Sequence, residues 1–254
     1  MPTSMSRRVL LHIGTHKTGT TSIQQFLRDH NDDLVASAGA SYATGFLLRI
    51  VHSELPLLTI RPHRMWPARL RFPETQSSSW QAAAAAHVRD EVTAETPDVL
   101  VYLHEDLSYL RHDDEFARLR NLLGDRSVTV VVFLREREAF LRSYASQLEG
   151  TGFELSDDST SFAYVRPDSW LVDYDALLDG YRRCFGAENV EAFDYDEIMK
   201  QDGSVIPTFA ELLGISRSAL PPLDSYFLNP NGAHIRLPPE YLDVIRQRLA
   251  RQYP

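Results

Sequence analysis

One stretch near the N-terminus limits what this chain can become. Val9-Leu10-Leu11-His12-Ile13 is a short apolar run, and Gly14-Thr15-His16-Lys17-Thr18-Gly19-Thr20-Thr21 follows it. From Thr20 onward, Ile23, Phe26 and Leu27 fall on one helical face. Strand, glycine loop and helix in that order bring backbone N–H groups and the positive end of a helix dipole to one point, which favours an anion. Gly14 and Gly19 let the backbone curl, Lys17 adds a mobile charge, and the hydroxyls of Thr18, Thr20 and Thr21 add donors.

The Gly14-to-Gly19 spacing is that of the nucleotide-binding pattern G-x-x-x-x-G-K-[ST], but Thr20 stands where the lysine belongs and the lysine sits at Lys17. In that pattern the lysine reaches the β and γ phosphates while the next hydroxyl holds Mg²⁺. The displaced lysine therefore favours an anion other than a triphosphate.

Beyond the loop, Asp98–Leu103 and Ser127–Leu134 are continuous apolar runs, expected for central, parallel strands covered by helices on both faces. Helical patterns span Trp80–Ala94, begun by Ser77–Ser79, and Asp113–Leu123, begun by acidic residues. Trp170–Phe185, Ser204–Leu213 and Pro238–Gln252 also read as helices, and Asn189–Phe193 as a strand. This alternation predicts an α/β fold of three layers, α/β/α, with a central and mainly parallel sheet. No repeat or linker divides the chain, so residues 1–254 are expected to form one domain. Arg61–Pro73 and Thr151–Pro167 fit no element and have the length of lids or binding loops.

A net charge of −9 argues against nucleic acid or an anionic membrane as partner, because both demand clustered cations. The only cysteine is Cys184, which excludes an intramolecular disulfide and suits a reducing cytoplasm. Met1–Arg8 is polar and Val9–Ile13 is too short for a signal-peptide core or a membrane span, so neither is expected.

Lys17-Thr-Gly-Thr-Thr21 resembles the 5′-phosphosulfate loop of the sulfotransferases that use 3′-phosphoadenosine 5′-phosphosulfate (PAPS), whose form is K-[ST]-G-[ST]-[ST] after the first strand. A second element agrees. In that family an arginine ending a strand and a serine eight positions later on the next helix grip the 3′-phosphate, and here Arg135 and Ser143 stand at that spacing. The resemblance runs from about Val9 to Gly214, taking in Val190–Ile198 and Phe209–Gly214 as the late strand and helix, and it fades beyond Ser216.

The resemblance implies the P-loop-like sulfotransferase fold in a bacterial, cytoplasmic protein. It implies PAPS as donor cosubstrate, a small-molecule or glycan acceptor, and no metal. Gly14, His16, Lys17, Thr18, Gly19, Thr20, Thr21, Arg135 and Ser143 become the donor-site candidates. The family's basic, glycine-rich loop near the C-terminus is not evident, and Arg236 in Asn229–Arg236 is the candidate cation, with a turn before the last helix as the alternative.

A general base should take the acceptor's proton. Glu105, just past the strand ending at Leu103, is the first choice and His52 the second; Tyr102-Leu-His-Glu-Asp-Leu107 only partly matches the family's S-x-E segment. Arg61–Phe72, with Arg61, Arg64, Arg69, Arg71, Trp66 and Phe72, is a candidate acceptor-recognition element for an anionic or glycosylated acceptor, with a solvated loop whose Trp66 packs on the core as the equal alternative. The competing readings are a P-loop kinase for a small molecule and a non-catalytic module binding adenosine 3′,5′-bisphosphate (PAP).

Overall fold

In a computed structural model, residues 7–48, 51–223 and 239–253 are described. Five strands, β1 (Arg8–His12), β2 (Ala40–Tyr42), β3 (Val99–Leu103), β4 (Ser127–Leu134) and β5 (Val190–Asp194), form one sheet in the order β2-β3-β1-β4-β5. All four pairings are parallel. Apolar runs such as Val9–Leu11 and Val130–Phe133 suit this arrangement because parallel strands are covered on both faces.

The helices are α1 (Thr20–Asp29), α2 (Glu54–Thr59), α3 (Pro67–Arg71), α4 (Ser78–Thr93), α5 (Asp113–Leu123), α6 (Arg137–Gly150), α7 (Tyr174–Phe185), α8 (Tyr195–Asp202), α9 (Ile206–Leu212) and α10 (Pro239–Gln252). The strands alternate between two cores. Val9 and Leu11 of β1 join Val88, Phe116, Phe140 and Tyr181 under α4–α7, whereas Leu10 meets Ile23, Phe26 and Phe209 under α1 and α9. Each such side chain taken wholly out of water contributes about 1.5–3 kcal/mol before conformational entropy is subtracted. The three-layer α/β/α arrangement expected from the sequence is therefore present.

Most boundaries fall within two residues of expectation, and the largest difference is at Trp170. The helix expected from Trp170 begins at Tyr174, because Asp173 caps it by accepting from the Ala176 N–H at 3.1 Å, and Trp170–Val172 form a separate 3₁₀ turn. The 61–73 segment holds the short helix α3, and 151–167 winds through turns. No helix among the described residues is long and apolar enough to cross a membrane.

What the fold provides for a site is adjacency. β1 lies between β3 and β4, with His12 level with Leu103 on one side and Val131 on the other. The loops leaving these three strands therefore meet at the C-terminal edge of the sheet, where open α/β sheets hold their ligands.

Candidate active site

The loop leaving β1 is pinned to β4. Phe133 N–H donates to the Gly14 carbonyl at 2.9 Å and Thr15 N–H to the Phe133 carbonyl at 3.1 Å. Gly14 has φ 95°, and a Cβ there would come 3.0 Å from the Glu105 Cα, so this glycine lets the loop from β3 press against the loop from β1. Gly19, at φ 79°, starts α1, and a Cβ on it would meet a Val205 methyl at 2.7 Å. Lys17 lies between them in the left-handed region at φ 63°, a costly conformation for a residue with a Cβ and one that concentrates at functional sites.

The result is an array of unused donors. The backbone N–H groups from His16 through Thr21 make no hydrogen bond among the described residues, and the buried Thr20 Oγ1 has no partner either. No side chain caps α1 and no acidic residue occupies its first turn. By contrast, Glu136 caps α6, Asp173 caps α7 and Asp194 caps α8. A helix start at the sheet edge that keeps its N–H groups free, unlike those of α6, α7 and α8, is suited to an external anion.

Lys17, within this array, is half-buried. Burial pushes its ammonium below the ordinary lysine value, Arg135 acts in the same direction, and Glu105 partly opposes both. It thus stands in the field of one residue from each neighbouring loop. The half-buried Glu105 carboxylate makes no hydrogen bond or ion pair among the described residues.

Arg135 follows β4. Its Nε is buried without a hydrogen bond, 3.9 Å from Asp196 Oδ1, and its guanidinium lies 5.5 Å from the centre of the Tyr195 ring. It borders a groove of about 570 Å³ that also receives Tyr174, Phe193 and Asp196. Acidic residues line this groove too, but three of them are occupied: Glu136 accepts from the Glu138 and Ala139 N–H groups, Asp194 from Glu197 N–H, and Asp196 from Glu136 N–H. Ser143 is half-buried two turns into α6, one helical turn beyond Ala139 on the same face.

Several expected site residues have other work. The His16 ring turns away from the loop, with Nε2 3.3 Å from Asp106 Oδ1, and the Thr18 hydroxyl donates to the Thr15 carbonyl at 2.6 Å. Their backbone N–H groups are what remains for a ligand. His52 is fully buried: Nδ1 accepts from Leu103 N–H at 2.9 Å and Nε2 donates to the Ala43 carbonyl at 2.8 Å. With both nitrogens engaged and burial holding its pKa down to about 4, His52 braces the strand end and is not a base for an acceptor. Arg236 lies outside the described residues.

The arginine-rich segment also needs correction. Arg61 forks onto Asp114, with its shortest contact at 2.6 Å, and Arg64 reaches both oxygens of the buried Glu115 at 2.7 Å. Arg69 donates to the carbonyls of Leu57, Ile60, Arg61 and Arg64 and lies 4.0 Å above the ring of buried Trp66. These residues hold the segment in place and offer no cation to a ligand.

A buried cluster absent from the expectations ties the loops together. His16 stacks on Tyr109 at 5.0 Å and lies 5.1 Å from Tyr144, and the two tyrosine hydroxyls are 2.5 Å apart. Tyr109 closes the turn that opens with Glu105, while Tyr144 follows Ser143. Asp106 completes the group. Burial alone would raise its carboxyl, but His104 and His16 more than offset this and hold it below the usual range. Nothing in the local pattern distinguishes these aromatic residues from ordinary core, since their partners are distant in sequence. Among the described residues, no group of three or more His, Cys, Asp or Glu side chains is arranged to hold a metal ion.

No family model matches the chain, and no curated protein does. Among solved structures, a sulfotransferase from Alicyclobacillus acidocaldarius is similar over 96% of this chain and 91% of its own, at 15% identity and a TM-score of 0.51. The sulfotransferase domain of the Synechococcus PCC 7002 olefin synthase matches over 100% of this chain and 96% of its own, at 15% identity and a TM-score of 0.41. Retinol dehydratase, in complex with androsterone and the inactive cofactor PAP, matches over 98% of this chain and 65% of its own, at 11% identity and a TM-score of 0.31. The first of these likenesses shows the fold: the chain has the α/β architecture of a sulfotransferase.

Proposed function

We propose that the protein transfers a sulfuryl group from PAPS to a hydroxyl or amine of a small-molecule or glycan acceptor. The observation that carries this reading is the run of N–H groups from His16 to Thr21, Lys17 among them, that stay unpaired among the described residues at the uncapped start of α1. The orphaned Thr20 hydroxyl and Arg135 Nε add donors suited to a ligand with two anionic ends. Gly14 to Thr21 would hold the 5′-phosphosulfate, and Arg135 with Ser143 the 3′-phosphate.

The donor supplies a sulfuryl group already activated by its bond to a phosphate oxygen. The acceptor oxygen or nitrogen attacks sulfur in line, a bond to sulfur forms, and the sulfur–oxygen bond to phosphate breaks with the electron pair staying on that oxygen. Lys17 and the loop N–H groups stabilise the charge growing there, and Glu105 takes the acceptor's proton. The Glu105 carboxylate, unpaired among the described residues on a residue whose Cα and Cβ press against Gly14, supports this role.

The displacement of lysine from position 20 to Lys17 speaks against the kinase reading. A non-catalytic PAP-binding module would have no use for Glu105. Glu105→Gln is therefore the test: it should lower sulfuryl transfer from labelled PAPS to phenols or amino sugars by roughly 10²–10⁴-fold and leave PAP affinity within about threefold. Unchanged turnover would remove Glu105 from the reaction.

A further inference from the structure

Three of the four arginines in the 61–73 segment are consumed by Asp114, Glu115 and backbone carbonyls. Arg71 is different. Its guanidinium makes no hydrogen bond or ion pair among the described residues, although the side chain is half-buried. It lies 5.3 Å from the centre of the Phe153 ring, and its own carbonyl is fixed by Arg246 Nε at 2.8 Å. The chain carries 35 acidic residues against 26 Lys and Arg, so an internal counter-ion would have been easy to provide. Removing a cation from water without one is costly unless a ligand brings the opposite charge.

Its position gives that charge a source. Arg71 is where the 61–73 segment meets the 151–167 segment, through Phe153. The carboxylate whose field reaches it is Asp106, next in sequence to Glu105 and 3.3 Å from His16 of the donor loop. Asp106 is occupied with His16 and His104 and forms no ion pair with Arg71. Arg71 is therefore within electrostatic reach of Asp106, the residue that follows Glu105.

We propose that Arg71 determines acceptor specificity, and that the acceptor carries an oxyanion, a carboxylate, sulfate or phosphate ester, beside its nucleophilic group. The guanidinium presents two parallel N–H groups to two oxygens, and the Phe153 ring supports its plane. This rests on the sulfotransferase reading for the word acceptor, but the anion site itself does not.

Two probes separate the questions: 2-naphthol and 6-hydroxynaphthalene-2-sulfonate, which differ only in the anionic group. Each is titrated into the full-length protein with and without PAP, for wild type, Arg71→Ala and Arg71→Lys, with Tm recorded for all three. Wild type should bind the sulfonate about tenfold or more tightly than the naphthol. Arg71→Ala should abolish that preference, Arg71→Lys should restore part of it, and PAP affinity should stay unchanged in both. Equal affinity of wild type for the two probes, or a sulfonate preference that survives Arg71→Ala, overturns the proposal. Loss of PAP binding by wild type with the sulfonate preference intact would instead sink the sulfotransferase reading and leave the anion site standing.

Discussion

In the proposed donor site, the groups assigned to the ligand are neighbours in sequence. Gly14 to Thr21 supply a curled backbone, free N–H groups and Lys17 within one loop, and only Arg135 and Ser143 come from elsewhere. On the proposed acceptor side almost nothing is local: Arg61 reaches Asp114, Arg64 reaches Glu115, and His52 and Ser53 reach Leu103 and His104, all across more than fifty residues. The first side is backbone chemistry with unspent donors. The second is a side-chain lattice whose members have mostly satisfied one another, leaving Glu105 and Arg71 without a side-chain hydrogen bond or ion pair among the described residues. A contiguous site leaves a motif, whereas a lattice leaves scattered charges whose roles depend on the fold.

Breaking each side should look different. The largest effect is expected for Lys17→Ala: roughly 10²–10³-fold loss of turnover, with PAP affinity changed by less than about tenfold, read from single-turnover kinetics beside titration. An equal loss in both would make Lys17 a binding residue only. Arg135→Ala should weaken PAP by about 10- to 100-fold, the worth of a charge-assisted contact, with smaller effect on turnover at saturation. Unchanged affinity would remove it from the donor site.

On the lattice side, His52→Ala should act on stability. It leaves the Leu103 N–H and the Ala43 carbonyl unpaired, at a cost of about 2–4 kcal/mol in denaturant unfolding, while turnover per folded molecule stays within about threefold. A selective loss of turnover would restore His52 as a catalytic candidate.

The smallest effect concerns pH. Burial holds His12 down to about 3 and His52 to about 4, so both are neutral in the fold but take up protons on unfolding below their ordinary value of about 6.5. The stability they contribute is present above about pH 6.5 and is lost as pH falls toward 4. Glu54, fully buried and accepting from Phe46 N–H at 3.1 Å, is pushed up to about 8 and acts in reverse: its contribution is present below its unfolded value near 4.5 and is lost as pH rises through 8. Tm should therefore peak near pH 6.5, and Glu54→Gln should flatten the alkaline limb. An alkaline limb unchanged in that variant would show that Glu54 is not its cause.

The same contrast explains how much the sequence discloses. β1, β3 and β4 are apolar runs long enough to read, and the loop between β1 and α1 carries its own signature in two glycines and a lysine. β2, with three residues, has too little pattern, and α2 and α3 each contain a proline within five or six residues. Trp170 continues the helical period of α7, yet the Asp173 cap starts the helix later. His52 and Arg61 to Arg69 carry residue types typical of sites, and only the fold reveals the carbonyls and carboxylates that engage them. Asp106 and the Tyr109–Tyr144 pair lie within or beside the recognised motifs, but their partners are too distant for local pattern to reveal.

The most direct test of the central claim is calorimetric titration of the purified protein with adenosine 3′,5′-bisphosphate and, separately, with ATP and Mg²⁺. The bisphosphate should bind without added metal and more tightly than Mg-ATP. Preference for Mg-ATP would contradict that claim and make the loop at Gly14 to Thr21 a kinase's phosphate site.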